Sequence, residues 1–381
     1  MATVLFVMKY PLHRFDNLCP KFDGQMEAAR KLGHETRWLG WDDQGVWLMG
    51  GKEKVLLQKS RLARLPGYEH TFLFRHLMTA VKKAVEREPV DLVYMRYMPT
   101  FSNAPRALAR AKALGAKLIV EHPTYPFDNG KKTSWLREPV FQYVNGVFSK
   151  IVPLIDLYTL IGEANDGTLD GRPAMNIANG VEAERFPLHK ARRDTEEIGL
   201  LALASMTNGQ GYDRLLRAMA GQSWNGTLYM AGGEGDGSLA QWKALAQELG
   251  VDQQVRFLGQ VHGPELDALV ERCDLGIGGL GMYRVGQFCS RTLKLREYMA
   301  RGLPFVYAVD DPDMPEEPRF CRRIPNDDSL PEFQEILAFA RQTKTDPQAP
   351  AQMRQYAVRR LGWAGELKPV LERVGISCQE L

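Results

Sequence analysis

Cysteine is scarce in this sequence, and its arrangement is not that of a disulfide framework or a structural zinc site. Only five of the 381 residues are cysteine, they are scattered along the chain, and no C-x-x-C pair occurs. Cytosolic proteins rarely carry disulfides, and structural zinc needs clustered cysteine or histidine ligands. The pattern therefore predicts a reducing compartment and no structural metal.

Long apolar runs and strong net charge are also missing. No run approaches the ~20 apolar residues that span a bilayer. The first predicted strand, TVLFVM, begins almost at the first residue, with no basic leader before it. We therefore expect a soluble, cytoplasmic protein. The formal charge of +3 is too small to indicate a nucleic-acid partner.

The motifs of several enzyme classes do not occur. The sequence holds no H-E-x-x-H metalloprotease helix, no G-x-S-x-G elbow and no Walker-type glycine–lysine loop. The acidic run VDDPDMPEE is interpreted as a solvated loop rather than a metal site. No metal ligand is predicted from these patterns.

Charge is distributed unevenly along the chain. Residues 1–185 hold 26 Lys and Arg against 20 Asp and Glu, a net of +6. The remainder holds 49−26 = 23 against 46−20 = 26, a net of −3. The first half is therefore the better candidate for an anionic partner, whether a phosphate or a membrane surface.

Apolar strand patterns alternate with helical patterns of 10–15 residues throughout the chain. Such alternation predicts βαβ units, parallel sheets and ligand sites at the carboxyl ends of the strands. The alternation of strand and helix patterns begins again after residue 180, which predicts two doubly wound α/β domains. We expect an N-terminal domain over 1–182, a second domain over 183–360 and a helical tail over 361–381. A return of that tail to the first domain is left open.

The stretch SRTLKLREYMARGLP, residues 290–304, lies between two predicted strands. It predicts a helix over 290–301 on which Ser290, Lys294 and Glu297 share one face. The free N–H groups of a helix start, with a lysine one turn in, suit an anion such as a pyrophosphate. Glu297 could then accept hydrogen bonds from sugar hydroxyls. An amphipathic helix with a solvated polar face is the equally open alternative.

Three other features are candidates for a binding site. The turn AGGEGDG, residues 231–237, allows close approach of a ligand to the backbone and is expected to leave N–H groups free, although a flexible turn is the simpler interpretation. His122 ends a strand before a proline-rich loop, where it positions a substrate or merely caps the strand. Arg256 either contacts a base or lies at the surface. The formal G-x-G-x-x-G at 276–281 is discounted as a dinucleotide site, because no helix is predicted immediately after it.

Four segments together resemble the retaining glycosyltransferases of the GT-B fold, in particular glycosyltransferase family 4. They are NIANGVEAERFP, LYMAGGEGDG, QVRFLGQVHGPELDALVERCDLGIG and REYMARGLPFV, in the order that the family has them. The resemblance covers about residues 175–310, and it is weaker in the first half. It implies two doubly wound Rossmann-like domains that face a central cleft. The variant LK-x-REY-x-ARG-x-PF resembles cell-surface polysaccharide transferases.

The resemblance also implies roles for individual residues. Glu297 matches the carboxylate that contacts the nucleotide ribose, and His122 matches a histidine near the transferred sugar. The segments that would line the nucleotide and its diphosphate contain Gly233, Glu234, Arg256, Phe257, Leu258, Ser290, Arg291 and Thr292. Two departures are evident. Cys289 replaces a glutamate that contacts sugar hydroxyls, and the neutral loop with Asn208 and Gln210 replaces a phosphate-binding arginine and lysine. Lys294 is therefore expected to supply the missing catalytic charge.

The resemblance implies transfer of a sugar, with retention of anomeric configuration, from a UDP- or GDP-sugar to a glycan or lipid-linked acceptor. No metal or other cofactor is expected. A basic region over 52–83 with apolar spacing suggests an anionic or membrane-presented acceptor and peripheral contact with an anionic membrane. An ordinary solvated helix face is the alternative. A nucleotide-sugar-binding protein without transferase activity, or a nicotinamide-dependent oxidoreductase, are the remaining alternatives for the whole chain.

Overall fold

A computed structural model describes residues 1–14, 16, 18–51, 53–125, 138–162, 165–190, 196–314 and 319–380 of the chain. The described chain forms two compact units. The first comprises Met1–Gly180 together with Trp363–Leu381, and the second comprises Val181–Gly362.

The first unit alternates strands and helices along the chain. Its elements up to residue 180 are β1 (Thr3–Pro11), α1 (Cys19–Lys31), β2 (Glu35–Asp42), β3 (Gly45–Gly50), β4 (Glu53–Lys59), α2 (Tyr68–Thr71), α3 (Leu73–Arg87), β5 (Leu92–Arg96), α4 (Ala104–Ala113), β6 (Lys117–Tyr125), α5 (Glu138–Phe148), β7 (Leu157–Gly162), β8 (Thr168–Leu169) and β9 (Arg172–Ile177). Within the described residues they build a nine-stranded sheet in the order β4-β3-β2-β1-β5-β6-β7-β9-β8. In that order, each strand from β2 through β1, β5, β6 and β7 to β9 is parallel to the next.

The two edges of this sheet are antiparallel, which differs from the expectation of a purely parallel sheet. β2, β3 and β4 form an antiparallel meander, and β8 pairs antiparallel with β9. The basic region over 52–83 therefore contains a strand, β4, followed by a short 3-10 helix at Arg61–Arg64 and then by α2 and most of α3. Asp43 and Gln44 connect β2 to β3, and Gly45 (φ +137°) and Gly51 (φ +56°) adopt the positive φ angles that favour glycine at the reversals on either side of β3.

The helix α3 shows how the sequence builds the core of the first unit. Its buried positions include Leu73, Leu77, Val81 and Val85, each four residues after the last, so they form one stripe against the sheet. The stripe packs in one cluster with residues of β1, β3 and β5. The helix ends just before Pro89, whose ring disfavours helical backbone at the residue before it.

The second unit repeats the βα pattern with a different strand order. Its elements are β10 (Ile198–Leu203), α6 (Tyr212–Met219), β11 (Gly226–Ala231), α7 (Ser238–Glu248), β12 (Val255–Gly259), α8 (Gly263–Glu271), β13 (Leu275–Ile277), α9 (Leu293–Arg301), β14 (Phe305–Tyr307), β15 (Cys321–Arg323), α10 (Phe333–Lys344) and α11 (Ala349–Arg360). In its described residues the sheet is six-stranded, all parallel, and ordered β12-β11-β10-β13-β14-β15. Counted along the unit, this is the order 3-2-1-4-5-6 of a dinucleotide-type doubly wound domain.

The last helix, α12 (Trp363–Arg373), belongs to the first unit, where it packs on α1. Each unit has one point where the strand order reverses: between β1 and β5 in the first, and between β10 and β13 in the second. In open α/β sheets the carboxyl edge at such a switch point is the usual place for a ligand site. No helix in the described part of the chain is long and apolar enough to cross a membrane.

Candidate functional site

The loops after β10 and β13 meet at the switch point of the second unit. Gly211 has a φ of +63°, and a Cβ on it would lie 2.5 Å from the backbone nitrogen of Gly281. The backbone N–H of Leu280 donates to the carbonyl of Gln210 at 2.8 Å. Because only glycine permits this approach, the two loops lie directly against each other and hold the start of α6 beside the segment that leads to α9.

Lys294, in the first turn of α9, points its ammonium at the loop after β10. Its Nζ donates to Oε1 of Gln210 at 2.5 Å and to the hydroxyl of Tyr212 at 3.2 Å. Both acceptors are neutral, and no carboxylate in the described chain forms an ion pair with Lys294. Burial lowers the pKa of Lys294 to about 7. The site thus holds a cation whose charge an incoming anion would stabilise.

The start of α9 differs from the sequence prediction. The helix begins at Leu293 with Thr292 as the preceding extended residue, three positions later than the predicted start at Ser290. The backbone N–H of Ser290 is bonded to the carbonyl of Asp310 at 2.8 Å, in a β-bridge between residues 289 and 310. Ser290 is therefore held in a strand-like segment and does not share a helical face with Lys294. This bridge outweighs the helical pattern that begins in the letters at 290.

The first turn of α9 remains open to an anion. No side chain caps it, it contains no acidic residue, and the buried hydroxyl of Thr292 has no hydrogen-bond partner among the described residues. Arg291 lies beside it and pairs with Asp313 at 3.0 Å. Uncapped N–H groups, an unused hydroxyl and the nearby Lys294 ammonium together suit a phosphate group.

Glu297 lies one turn beyond Lys294 and is partly exposed. Its Oε1 accepts a hydrogen bond from Nε of Arg301 at 2.8 Å, and Arg301 also pairs with Asp267 at 2.7 Å. The helix ends at Gly302, whose φ of +74° gives the left-handed stop that glycine favours. The arginine holds the Glu297 carboxylate in one place, and among the described residues the second carboxylate oxygen has no hydrogen-bond partner that would compete with a ligand.

The glycine-rich turn after β11 contradicts the expectation of free backbone N–H groups. Oε1 of Glu234 accepts the N–H groups of Gly235, Asp236 and Gly237 at 2.9, 3.1 and 2.7 Å. These bonds outweigh desolvation and lower the pKa of Glu234. The turn therefore carries its own anion, and a phosphate could bind these amides only by displacing the carboxylate. Gly233 precedes the turn, with its carbonyl bonded to the N–H of Met206.

Asn208 joins the loops after β10, β11 and β13. Its backbone N–H donates to Asp236 at 3.0 Å, and its side-chain oxygen accepts from Arg284 at 3.2 Å. Arg284 also forms two hydrogen bonds to Asp213, at 2.7 and 2.9 Å, which raise its pKa. Arg284 is thus an internal clamp of the loops rather than an unpaired cation.

The predicted base-contacting residues lie on β12, the edge strand of the sheet. Arg256 is exposed and donates to the carbonyl of Gln253 at 3.0 Å, and Leu258 is also exposed. Phe257 is partly buried, with Lys243 5.7 Å from its ring centroid. The structure brings Lys294, Gln210, Asn208 and the start of α9 together at the switch point, whereas β12 lies two strands away from β10.

His122 lies in the first unit, near the end of β6. It is 3% exposed, and its ring stacks on Tyr97 with centroids 4.5 Å apart, close to Phe148 and Tyr158. Burial lowers its pKa to about 3, so the ring is neutral at physiological pH. The loop predicted after it falls mostly on residues 126–137, which lie outside the described residues.

Tyr212 is the residue of this site that the sequence did not point to. Its hydroxyl accepts the second hydrogen bond of Lys294, and its fully buried ring packs against Trp242. Its position directly after the Gln-Gly pair is the only signal that the sequence offered. Among the described residues, no cluster of three or more His, Cys, Asp or Glu could hold a metal ion.

No protein-family model and no curated protein sequence matches this chain. Solved structures do match over nearly its whole length. Sucrose-phosphate synthase from Thermosynechococcus elongatus is 14% identical with a TM-score of 0.67, covering 98% of this chain and 99% of that one. Anabaena HepE in complex with UDP is 13% identical with a TM-score of 0.60 and the same coverage. WaaG, a glycosyltransferase involved in lipopolysaccharide biosynthesis, is 15% identical with a TM-score of 0.58, covering 98% and 100%.

At these identities the likeness establishes the fold and nothing further. The two α/β units, with one mixed and one parallel sheet, match these glycosyltransferase structures from end to end. The sequence expectation of two doubly wound domains is confirmed, and the chain has the GT-B fold.

Proposed function

We propose that this protein is a glycosyltransferase that moves a sugar from a nucleotide-sugar to an acceptor with retention of anomeric configuration. The observation that carries the proposal is the contact between Lys294 and Gln210. Gln210 occupies the position where the resembling family has a phosphate-binding lysine. The Lys294 ammonium lies 2.5 Å from its side chain, so the chain supplies a cation at nearly the same place from a different element.

In this proposal the donor diphosphate binds at the start of α9. Negative charge develops on the diphosphate as its bond to the sugar breaks, and a fixed cation and helix N–H groups stabilise that charge. Lys294 and the Thr292 hydroxyl are placed for this task, and Arg291 is next to them. Two cationic side chains and a helix start can neutralise the leaving group, so no metal is invoked.

Glu297 is assigned to the hydroxyl groups of the nucleotide ribose. A carboxylate that accepts hydrogen bonds from a diol binds it more strongly than a neutral group does. Arg301 holds the Glu297 carboxylate in position, with its Nε 2.8 Å from Oε1. His122 is assigned to the neighbourhood of the transferred sugar, as the resemblance implies. Because its ring is neutral, it would contribute a hydrogen bond rather than a charge.

Three of the similar structures are of Anabaena HepE with UDP, with UDP-glucose, and with UDP and glucose. They support a nucleotide-sugar as the donor for this chain, and UDP- and GDP-sugars are the candidates that we propose. The glycan or lipid-linked acceptor is assigned to the first unit, which carries the excess of positive charge. Within that unit Leu62, Leu65 and Phe72 are exposed beside exposed arginines, which supports peripheral contact with an anionic membrane.

A panel of UDP- and GDP-sugars tested by thermal shift identifies the donor. A ligand present at 100 times its dissociation constant adds about 2.7 kcal/mol to the free energy of unfolding, which gives a measurable shift. Release of labelled sugar from the stabilising donor, to water or to an acceptor, then shows transfer. Stabilisation without any release in the presence of glycan and lipid-linked acceptors would favour a binding protein that kept the fold.

A further inference from the structure

A buried polar cluster lies at the switch point of the first unit. Its centre is Glu121, which is fully buried on β6. One carboxylate oxygen accepts from Lys21 at 2.7 Å, and the other accepts from Gln25 at 2.5 Å and Tyr94 at 2.9 Å. Lys21 and Gln25 come from α1, which follows β1, and Tyr94 comes from β5. Both oxygens of Glu121 are therefore satisfied.

Arg96, the last residue of β5, lies beside this cluster without a hydrogen bond to it. Its Nη1 is 3.7 Å from Oε1 of Glu121, and that nitrogen is buried with no hydrogen-bond partner in the described chain. The guanidinium is 5.6 Å from the ring centroid of Phe22. About a fifth of the side chain, 21%, remains exposed. Arg96 thus lies at the carboxyl edge of the sheet, and the exposed part of its side chain is accessible to a ligand.

The charges of the cluster do not balance. Among its described residues Lys21 and Arg96 face a single carboxylate, Glu121. Burial raises the pKa of Glu121, but the attraction of the two cations outweighs it, and the net shift is downward. Burial lowers the pKa of Lys21, and repulsion by Arg96 lowers it further. A second anion beside the exposed part of Arg96 would offset the excess positive charge of the cluster.

We propose that Arg96 binds a phosphate ester of the molecule that the first unit accepts. Arg96 lies at the carboxyl edge of the sheet, at the switch point between β1 and β5, which is where a doubly wound domain binds its ligand. The planar fork of an arginine matches two oxygens of a phosphate, and a charge-assisted pair of this kind is strong. The inference rests on the proposed function, and it names the chemical group by which the acceptor is held.

Titration of the protein with inorganic phosphate by calorimetry tests the proposal. The second unit is first saturated with UDP or GDP, so that its diphosphate site is filled. Phosphate should then bind at one further site, and Arg96→Gln should weaken this binding about tenfold or more. Arg96→Lys keeps the charge but loses the planar guanidinium, and its phosphate affinity should lie between those of the wild type and Arg96→Gln. Arg110→Gln is the matched control, since Arg110 pairs with Glu86 on the surface of the same unit.

The outcomes separate this inference from the proposed function. If neither UDP nor GDP binds, the proposed function fails. Arg96 is then still tested by titrating phosphate into the nucleotide-free Lys294→Ala variant, whose second unit lacks the lysine of the proposed diphosphate site. Absence of phosphate binding in the wild type, or affinities of both Arg96 variants within twofold of it, overturns the inference. Arg96→Gln destabilised with unchanged phosphate affinity would show that Arg96 only supports Glu121, which also overturns it.

The phosphate ester that Arg96 binds could belong to a lipid or to a soluble sugar. Titration with a polyprenyl phosphate in detergent micelles and with glucose 1-phosphate distinguishes the two sources. Tighter binding of the first identifies a lipid-linked acceptor, and tighter binding of the second identifies a soluble one. Either result supports the proposal if Arg96→Gln removes the binding and Arg110→Gln does not, and failure of both ligands contradicts it.

Discussion

The Lys294 ammonium donates a hydrogen bond to the side-chain oxygen of Gln210, although 84 positions separate the two residues. Lys294 lies on α9, after β13, and Gln210 lies in the loop after β10, the neighbouring strand. The contact spans the point where the strand order reverses. In the proposed function, the helix α9 thereby supplies the charge that the resembling family carries in the loop after β10.

We expect Lys294→Ala to lower the turnover of sugar transfer by roughly 10²-fold or more. This is about the loss that follows removal of one donor to a developing oxyanion. Lys294→Arg should keep part of the activity, because the charge remains while the geometry changes. Steady-state rates with the donor found by thermal shift provide the measurement.

Gln210→Ala is the companion variant. It removes the hydrogen bond that positions Lys294 but leaves Tyr212 as a second acceptor, at 3.2 Å. Its turnover should fall less than that of Lys294→Ala. Near-normal turnover in Lys294→Ala together with loss of activity in Gln210→Ala would show that the loop 207–210, and not the lysine, holds the phosphates.

Donor binding should depend on pH through Lys294. Burial lowers its pKa to about 7 in the free protein, and a bound diphosphate would raise it. Affinity should therefore be constant well below that value and fall as pH rises through it, by up to about tenfold per pH unit, until the pKa of the complex is reached. Calorimetry in buffers of different ionisation enthalpy should show proton uptake at pH 8.

A nucleotide-sugar is the right ligand for this experiment, because its diphosphate is a diester that does not titrate in this range. The Lys294→Met variant serves as the control and should bind more weakly at low pH, with no proton uptake. An identical pH dependence in the variant and the wild type would assign the proton to another group.

Glu297→Gln should weaken donor binding by about 1.5–3 kcal/mol, the range of a hydrogen bond to a charged group. Asp267→Asn is the matched control, because both carboxylates pair with Arg301 and only Glu297 is assigned to the ligand. Equal effects of the two substitutions on donor affinity would mean that Glu297 acts only by supporting the helix.

Arg296 and Arg291 should differ sharply in their effect on stability, although both contact Asp313. Arg296 is fully buried and ion-paired with the fully buried Asp311. Arg296→Met leaves that carboxylate buried without its partner and should cost about 3–5 kcal/mol of unfolding free energy. Arg291→Met breaks a partly exposed pair and should cost about 0–1 kcal/mol. Urea unfolding measures both, and equal losses would contradict this assignment of burial.

Periodicity was sufficient to predict the alternating units, because buried strands such as β10 and amphipathic helices such as α6 leave a repeated apolar pattern. It was not sufficient at α9. A β-bridge between residues 289 and 310 holds Ser290 in extended backbone, and such a long-range contact leaves no local signal. The antiparallel strands β3 and β4 were missed for a different reason: residues 45–50 were assigned to no element, and β4 lies in the basic region over 52–83, which was interpreted from its charge and apolar spacing.

The candidate site likewise has one part that the sequence could predict and another that it could not. The spacing of Lys294 and Glu297 on one helix follows from the 3.6-residue repeat, and it could be predicted. The contact of Lys294 with Gln210 depends on the strand order, and the occupation of the glycine-rich turn by Glu234 depends on one side-chain rotamer. Neither is encoded in spacing along the chain.

A crystal structure with a nucleoside diphosphate bound tests the central claim most directly. The account predicts phosphate density within hydrogen-bond distance of the Thr292 hydroxyl and the Lys294 ammonium, at the uncapped start of α9. Phosphate density more than one helical turn, about 5.4 Å, from the first residues of α9 would contradict it.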